Sequence, residues 1–135
     1  MLVQIDSARL KAAAVGAVFV VACTGLVTAQ TVRNIRRWIV AETPADAGAV
    51  LLDYRACVVA MTDAELHDLA SPARPLSPPI PLAWLVRDEQ TAELWRRQVL
   101  RLALTGQRRF VSRLPEEAFS WATEQARLAQ VAERR

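Results

Sequence analysis

The side chains best suited to chemistry at neutral pH are scarce here: one histidine, His67, and two cysteines, Cys23 and Cys57. A single imidazole excludes a two-histidine metal site and the HExxH motif by count. Asp63 and His67 stand four residues apart, which places both on one helical face and offers two metal ligands, fewer than the three or four a zinc site needs. That pair reads as the solvated polar face of a short helix. Glu116 and Glu117 follow Pro115 and read as the acidic first turn of a helix, where negative charge meets the positive end of the dipole, rather than as a general acid and base. Cys57 lies among apolar residues and reads as a small core side chain, and its distance from Cys23 along the chain leaves both as free thiols. No GxxxxGK[ST], GxGxxG or GxSxG pattern occurs, and 4 glycines are few for building phosphate loops. The expectation is a protein that is not an enzyme and holds no metal or cofactor.

The densest chemical feature is cationic. Arg96, Arg97, Arg101, Arg108, Arg109 and Arg113 cluster near Trp95 and Phe110 in a chain of net charge +3. Such a group suits anionic lipid headgroups, at roughly 1 kcal/mol per basic residue near a membrane surface, or the acids of a partner subunit. Nucleic acid is a poor fit, since no base-stacking arrangement or known binding pattern accompanies the charge.

The elements that would position these residues begin with an apolar run. From Ala12 to Val32 no charge occurs, and about 21 residues at 1.5 Å each cross the hydrocarbon core of a bilayer as one helix. Arg9 and Lys11 precede it; Arg33, Arg36, Arg37 and Trp38 follow, which nearly balances the charge rule for orientation and leaves a slight lean toward an exported C-terminal part. A signal peptide cleaved near Ala29, a lipoprotein signal ending at Cys23 and a helix buried in a large assembly compete with the anchor. The length of the run favours the anchor. Small residues at four-residue spacing, Ala12 with Gly16 and Gly25 with Ala29, would let a second helix approach closely in lipid. This segment contains no His and so offers no imidazole to ligate haem or chlorophyll.

After the run, Thr43, Pro44 and Asp46 signal a helix start. Ala47, Val50, Leu51, Tyr54, Val58 and Met61 then fall at steps of three and four and predict a helix to about Met61. Thr62 and Glu65 have capping-box spacing and predict a short helix through Asp63, Leu66 and Leu69. The stretch SPARPLSPPIPL is extended or polyproline-like, and Pro78 and Ile80, with Trp84 and Trp95, are candidate contacts for a partner. Ala83 to Val86 is a short strand-like or turn segment. Asp88 caps a helix whose inner face carries Ala92, Trp95, Val99, Leu102 and Ala103, ended by Gly106. Gln107 to Leu114 reads as a basic connection. A last helix opens at Pro115, carries Phe119, Ala122, Ala126 and Ala129 on its apolar stripe, and closes with Arg134 and Arg135.

Together these readings predict an all-α chain. Residues 1–41 form a tail and one N-terminal transmembrane helix, 42–70 a helical segment, 71–86 a proline-rich linker, and 87–135 a C-terminal helical pair. The expected function is that of a non-catalytic, single-pass accessory or scaffolding subunit of a complex in the bacterial inner (cytoplasmic) membrane. Its partners would be integral membrane subunits, the lipid bilayer and anionic lipids. The alternatives are an exported soluble or lipid-anchored binding protein with a cleaved signal, and a structural component of a filament, particle or secretion apparatus.

Overall fold

The computed structural model describes residues 1–69, 80–103 and 108–133. The proline segment with Pro78, the Gly106 stop, Arg134 and Arg135, and the side chains of Arg101, Leu102 and Ala103 lie outside the described residues. The architecture is mixed α/β, with six strands and four helices among the described residues. The strands are β1 (Leu2–Ile5), β2 (Ala8–Val15), β3 (Val18–Thr28), β4 (Ala49–Ala60), β5 (Leu82–Leu85) and β6 (Arg109–Ser112). Between and after them come α1 (Ala29–Glu42), α2 (Asp63–Leu69), α3 (Glu89–Ala103) and α4 (Pro115–Glu133).

The run expected to be a transmembrane helix is strand for most of its length. Ala12 to Val15 end β2, Gly16 and Ala17 make a two-residue turn, and Val18 to Thr28 are β3. Gly16 has φ 60°, the left-handed backbone that such a tight hairpin turn needs. Asp6 and Ser7 make the hairpin turn between β1 and β2, with Asp6 at φ 55°. No helix among the described residues is long and apolar enough to cross a membrane.

The physical reason for the error is burial on two sides. Phe19, Val21 and Cys23 of β3 face one layer, while Val18 and Val20 face another, so the strand shows no polar alternation. A central strand covered on both faces reads as a continuous apolar run, and a hairpin joined to it extends that run to membrane length. The same masking hid β4. Val50, Leu52 and Tyr54 point to one layer and Ala49 and Leu51 to the other, so steps of three and four were present by coincidence in a region of near-uniform hydrophobicity. Thr43, read as the start of that helix, is the C-cap of α1, its N–H donating to the Ile39 carbonyl at 2.9 Å.

Strand order is β1-β2-β3-β4-β5-β6. The first three strands pair antiparallel, and β3 to β6 pair parallel. The inner face carries Leu10, Phe19, Val21, Leu52, Tyr54, Leu82 and Trp84 beneath Val32, Ile35 and Ile39 of α1, Leu66 and Leu69 of α2, and Ala92 and Trp95 of α3. On the outer face Val18, Ala49, Leu51, Ala83 and Leu85 meet Ala118, Ala122 and Ala126 of α4. The small residues of α4 lie close to the sheet rather than to another helix: a Cβ at Gly48 would lie 2.7 Å from the Ala126 Cα.

Three helices form as their end signals predict. The Thr62 hydroxyl accepts from the Glu65 N–H at 3.1 Å and the Glu65 carboxylate accepts from the Thr62 N–H at 3.0 Å, closing the capping box of α2. Asp88 accepts from the Thr91 N–H at 2.8 Å and caps α3. Pro115, with Glu116 and Glu117, opens α4. The basic connection proves to contain β6, and the segment from Ala83 to Val86 is mostly β5.

Candidate functional site

The carboxyl ends of β4 and β5 feed directly into the starts of α2 and α3, and a cleft opens between those two helix starts. Asp63 of α2 and Glu89, Gln90, Thr91, Glu93, Leu94 and Arg97 of α3 line its ≈ 650 Å³. A smaller cavity of ≈ 100 Å³ adjoins it at Thr91, bounded by Tyr54, Cys57 and Val59 of β4 and by Val86 and Arg87. Capping fixes both helix starts, so the cleft walls are positioned by backbone hydrogen bonds rather than by loops.

Acids dominate the cleft. Asp63, Glu89 and Glu93 face it, with Arg97 as the lining cation. The hydrogen bond from Arg96 holds the Glu89 carboxyl below its ordinary range, and Arg113 adds to this at 3.2 Å. Arg96 also reaches Glu93 at 3.6 Å. The backbone N–H of Thr91 lowers the Asp88 carboxyl in the same way. These are exposed ion pairs, each worth little to stability; what they do is fix the orientation of the acids along α3.

Chemistry in the small cavity is muted. Cys57 hydrogen-bonds Cys23, which pushes the Cys57 thiol up and draws the Cys23 thiol down. Both cysteines are free and buried. A buried thiol held protonated is a poor nucleophile. Tyr54, fully enclosed, is raised by burial and so stays a neutral phenol. Among the described residues no group of three or more His, Cys, Asp or Glu is placed to hold a metal ion.

Strand order matters to what such a site can take. Ligand crevices in open α/β sheets form where the strand order reverses, and here β3 to β6 run in sequence with no reversal. The cleft is an open trough between two helix starts.

The residues singled out by sequence are scattered. Ala12 is buried in β2, Gly16 stands in an open turn, Gly25 lies in β3 and Ala29 starts α1, so they share no helix face. Gly25 has φ 99°, and a Cβ there would come 2.5 Å from the Ser7 carbonyl oxygen. Trp84 and Trp95 are 3% and 4% exposed and meet edge to face at 5.7 Å, with Tyr54 against Trp95 at 5.8 Å. Ile80 is partly buried against the same core. Of the arginines, Arg96, Arg97 and Arg113 border the cleft, Arg108 donates to Gln125 at 2.9 Å, and Arg109 donates to the Ile80 carbonyl at 3.0 Å. His67 is exposed on α2.

Arg33 and Arg36, read as charges flanking a membrane segment, tie α1 to α2. Arg33 meets Asp68 at 3.3 Å, and the buried Arg36 donates to the Leu69 carbonyl at 2.9 Å, at the negative end of α2. Burial lowers the Arg36 pKa. Trp38, placed by sequence at the membrane interface, stacks on Phe19 at 6.1 Å. Sequence reasoning also missed the cleft, although its two capping signals were read correctly; the pairing of β4 with β5 that sets them side by side leaves no local mark.

No protein-family model matches this sequence, and no curated protein matches it. Among solved structures, the chain is similar to an anti-sigma factor antagonist from Mycobacterium paratuberculosis, with 19% identity, a TM-score of 0.54, and coverage of 89% of this chain and 97% of that one. An uncharacterised protein of the DUF3478 family from Shewanella loihica, described as having a SpoIIAA-like fold, aligns with 10% identity and a TM-score of 0.48 over 90% of this chain and 98% of that one. The fold is thus that of the mycobacterial antagonist. These findings overturn the all-α, single-pass membrane subunit: the supposed anchor is the middle of the sheet, and the inner-membrane location, the integral membrane partners and the bilayer contact lose the segment they rested on.

Proposed function

We propose that this chain is a non-catalytic regulatory protein that works by binding another protein of the anti-sigma factor kind, using the trough between α2 and α3. The observation that carries the reading is the match of fold over nearly the whole of both chains to a protein titled an anti-sigma factor antagonist. The trough supports it, because Glu89 and Glu93 in its wall are oriented by ion pairs with Arg96 and Arg113. A basic helix or loop of the partner would meet Asp63, Glu89 and Glu93.

The test is a titration of the purified chain against purified anti-sigma factors from its own source, followed by calorimetry. A 1:1 complex is expected, weakened at least about tenfold, or 1.4 kcal/mol, by the pair Asp63→Arg and Glu93→Arg. Failure to bind any of them would overturn the reading. Binding that ignores both substitutions would remove the trough as the site.

A further inference from the structure

The free edge of β1 is lightly defended. Natural sheets blunt their edges with shortness, charge, proline or a bulge; β1 is only four residues long and follows the Met1 ammonium, yet its sequence LVQI holds no charged side chain, no proline and no bulge. Met1 exchanges both backbone hydrogen bonds with Ala12, at 2.9 and 3.2 Å. In an antiparallel ladder bonded and non-bonded pairs alternate. With the register Leu2 to Lys11 and Val3 to Leu10, the bonded pairs are therefore those of Met1, Val3 and Ile5, and the N–H and C=O groups of Leu2 and Gln4 point away from β2. A groove of ≈ 320 Å³ lined by Leu2, Val3, Gln4 and Arg9 lies at this edge, and Leu2 is 79% exposed.

We propose that β1 pairs antiparallel with β1 of a second copy of this chain, joining two six-stranded sheets into one. The outward groups themselves select the occupant. They belong to two residues placed symmetrically about Val3, so a two-fold arrangement sets Leu2 opposite Gln4 of the second copy and Gln4 opposite its Leu2. All outward N–H and C=O groups of both residues are then matched, and the two Val3 residues face each other at a non-bonded position. Registers that set Leu2 on Leu2 or Gln4 on Gln4 match only half of them. Charge does not oppose the pairing. The exposed cations Arg9 and Lys11 stand on β2, so like charges of the two copies are three strand spacings apart, about 14 Å, which exceeds the screening length at physiological salt.

Gln4→Pro is a selective test, because the Gln4 N–H takes no part in the β1 to β2 ladder, so the change removes the outward donor and, besides it, the exposed bond from the Gln4 side chain to the Asp6 carbonyl. Sedimentation of the full chain, with any tag at the C-terminus, should show a concentration-dependent species of twice the monomer mass. Gln4→Pro should stay monomeric where the parent is mostly dimeric, with thermal unfolding unchanged when both are compared at a concentration at which the parent is monomeric. Leu2→Lys, which keeps the backbone and adds charge at the edge, should weaken the dimer in the same direction. In the dimer the amides of Leu2 and Gln4 should resist hydrogen exchange. A parent chain monomeric up to about 1 mM overturns the proposal, as does a dimer untouched by both substitutions.

Discussion

The two faces of the sheet are built differently. The inner face packs Leu, Val, Tyr and Trp side chains under three helices and leaves almost nothing open. Among the described residues the outer face is covered by α4, through alanines over Val18, Ala49, Leu51, Ala83 and Leu85. Beyond the reach of α4, Leu26 and Val58 stand side by side in register, 41% and 59% exposed. The difference teaches where stability resides. Large side chains interlock on one side, and close approach of small ones gives a thinner contact on the other.

The sharpest way to break this comparison is to remove a large side chain from the inner face. Trp84→Ala empties the centre of the Trp84, Trp95 and Tyr54 cluster and should cost about 3–5 kcal/mol, read as a fall in the urea midpoint at constant slope. A loss below about 1 kcal/mol would mean that the inner face is not the main source of stability.

Next in size is the close contact on the outer face. Ala122, fully buried, tolerates no added volume where α4 lies against the sheet, so Ala122→Leu should cost about 1–3 kcal/mol by overpacking. Gly48→Val tests the same contact from the strand side, since its Cβ would press on the Ala126 backbone. If Ala122→Leu were neutral in thermal unfolding, α4 would be loosely held and the outer face open along its length.

These two faces also explain what the sequence could and could not reveal. Helices with one polar side were legible. The Thr62 and Glu65 box, the Asp88 cap and the Pro115 start each forms as read, because capping is a local contest among a few residues. The central strands were not. Their register alternation is between two apolar layers, and a pattern of period two cannot be seen when both phases are hydrophobic. In β2 the alternation was present: Ala8, Leu10 and Ala12 are buried while Arg9 and Lys11 are exposed. It was overridden by the length of the uncharged run that follows. The cleft between α2 and α3 depends on long-range strand pairing, so only its two edges left a local signal.

A smaller effect belongs to the α3 start. Asp88→Ala should lower the melting temperature slightly, through the loss of the bond to the Thr91 N–H. The pH dependence has a defined sign. Asp88 and Glu89 have lowered pKa values in the folded chain, so the unfolded chain binds protons more readily. Their contribution is complete above the ordinary values of 3.8 and 4.5 and disappears as pH falls through the lowered ones. The melting temperature should therefore drop below about pH 4, and less so in Asp88→Ala, which lacks one of the two groups.

The smallest expected effect is at the uncovered end of the outer face. Leu26→Thr with Val58→Thr places β-branched, strand-compatible side chains at neighbouring positions and removes an exposed apolar pair. Because both residues already meet solvent, the double variant should unfold within about 0.5 kcal/mol of the parent chain. Its contrast with Trp84→Ala, one strand away and on the opposite face, then measures how unequally the two sides contribute. A loss above 1 kcal/mol would mean that Leu26 and Val58 pack against something in the folded chain in solution, and the outer face would have to be counted as a second core rather than as open surface.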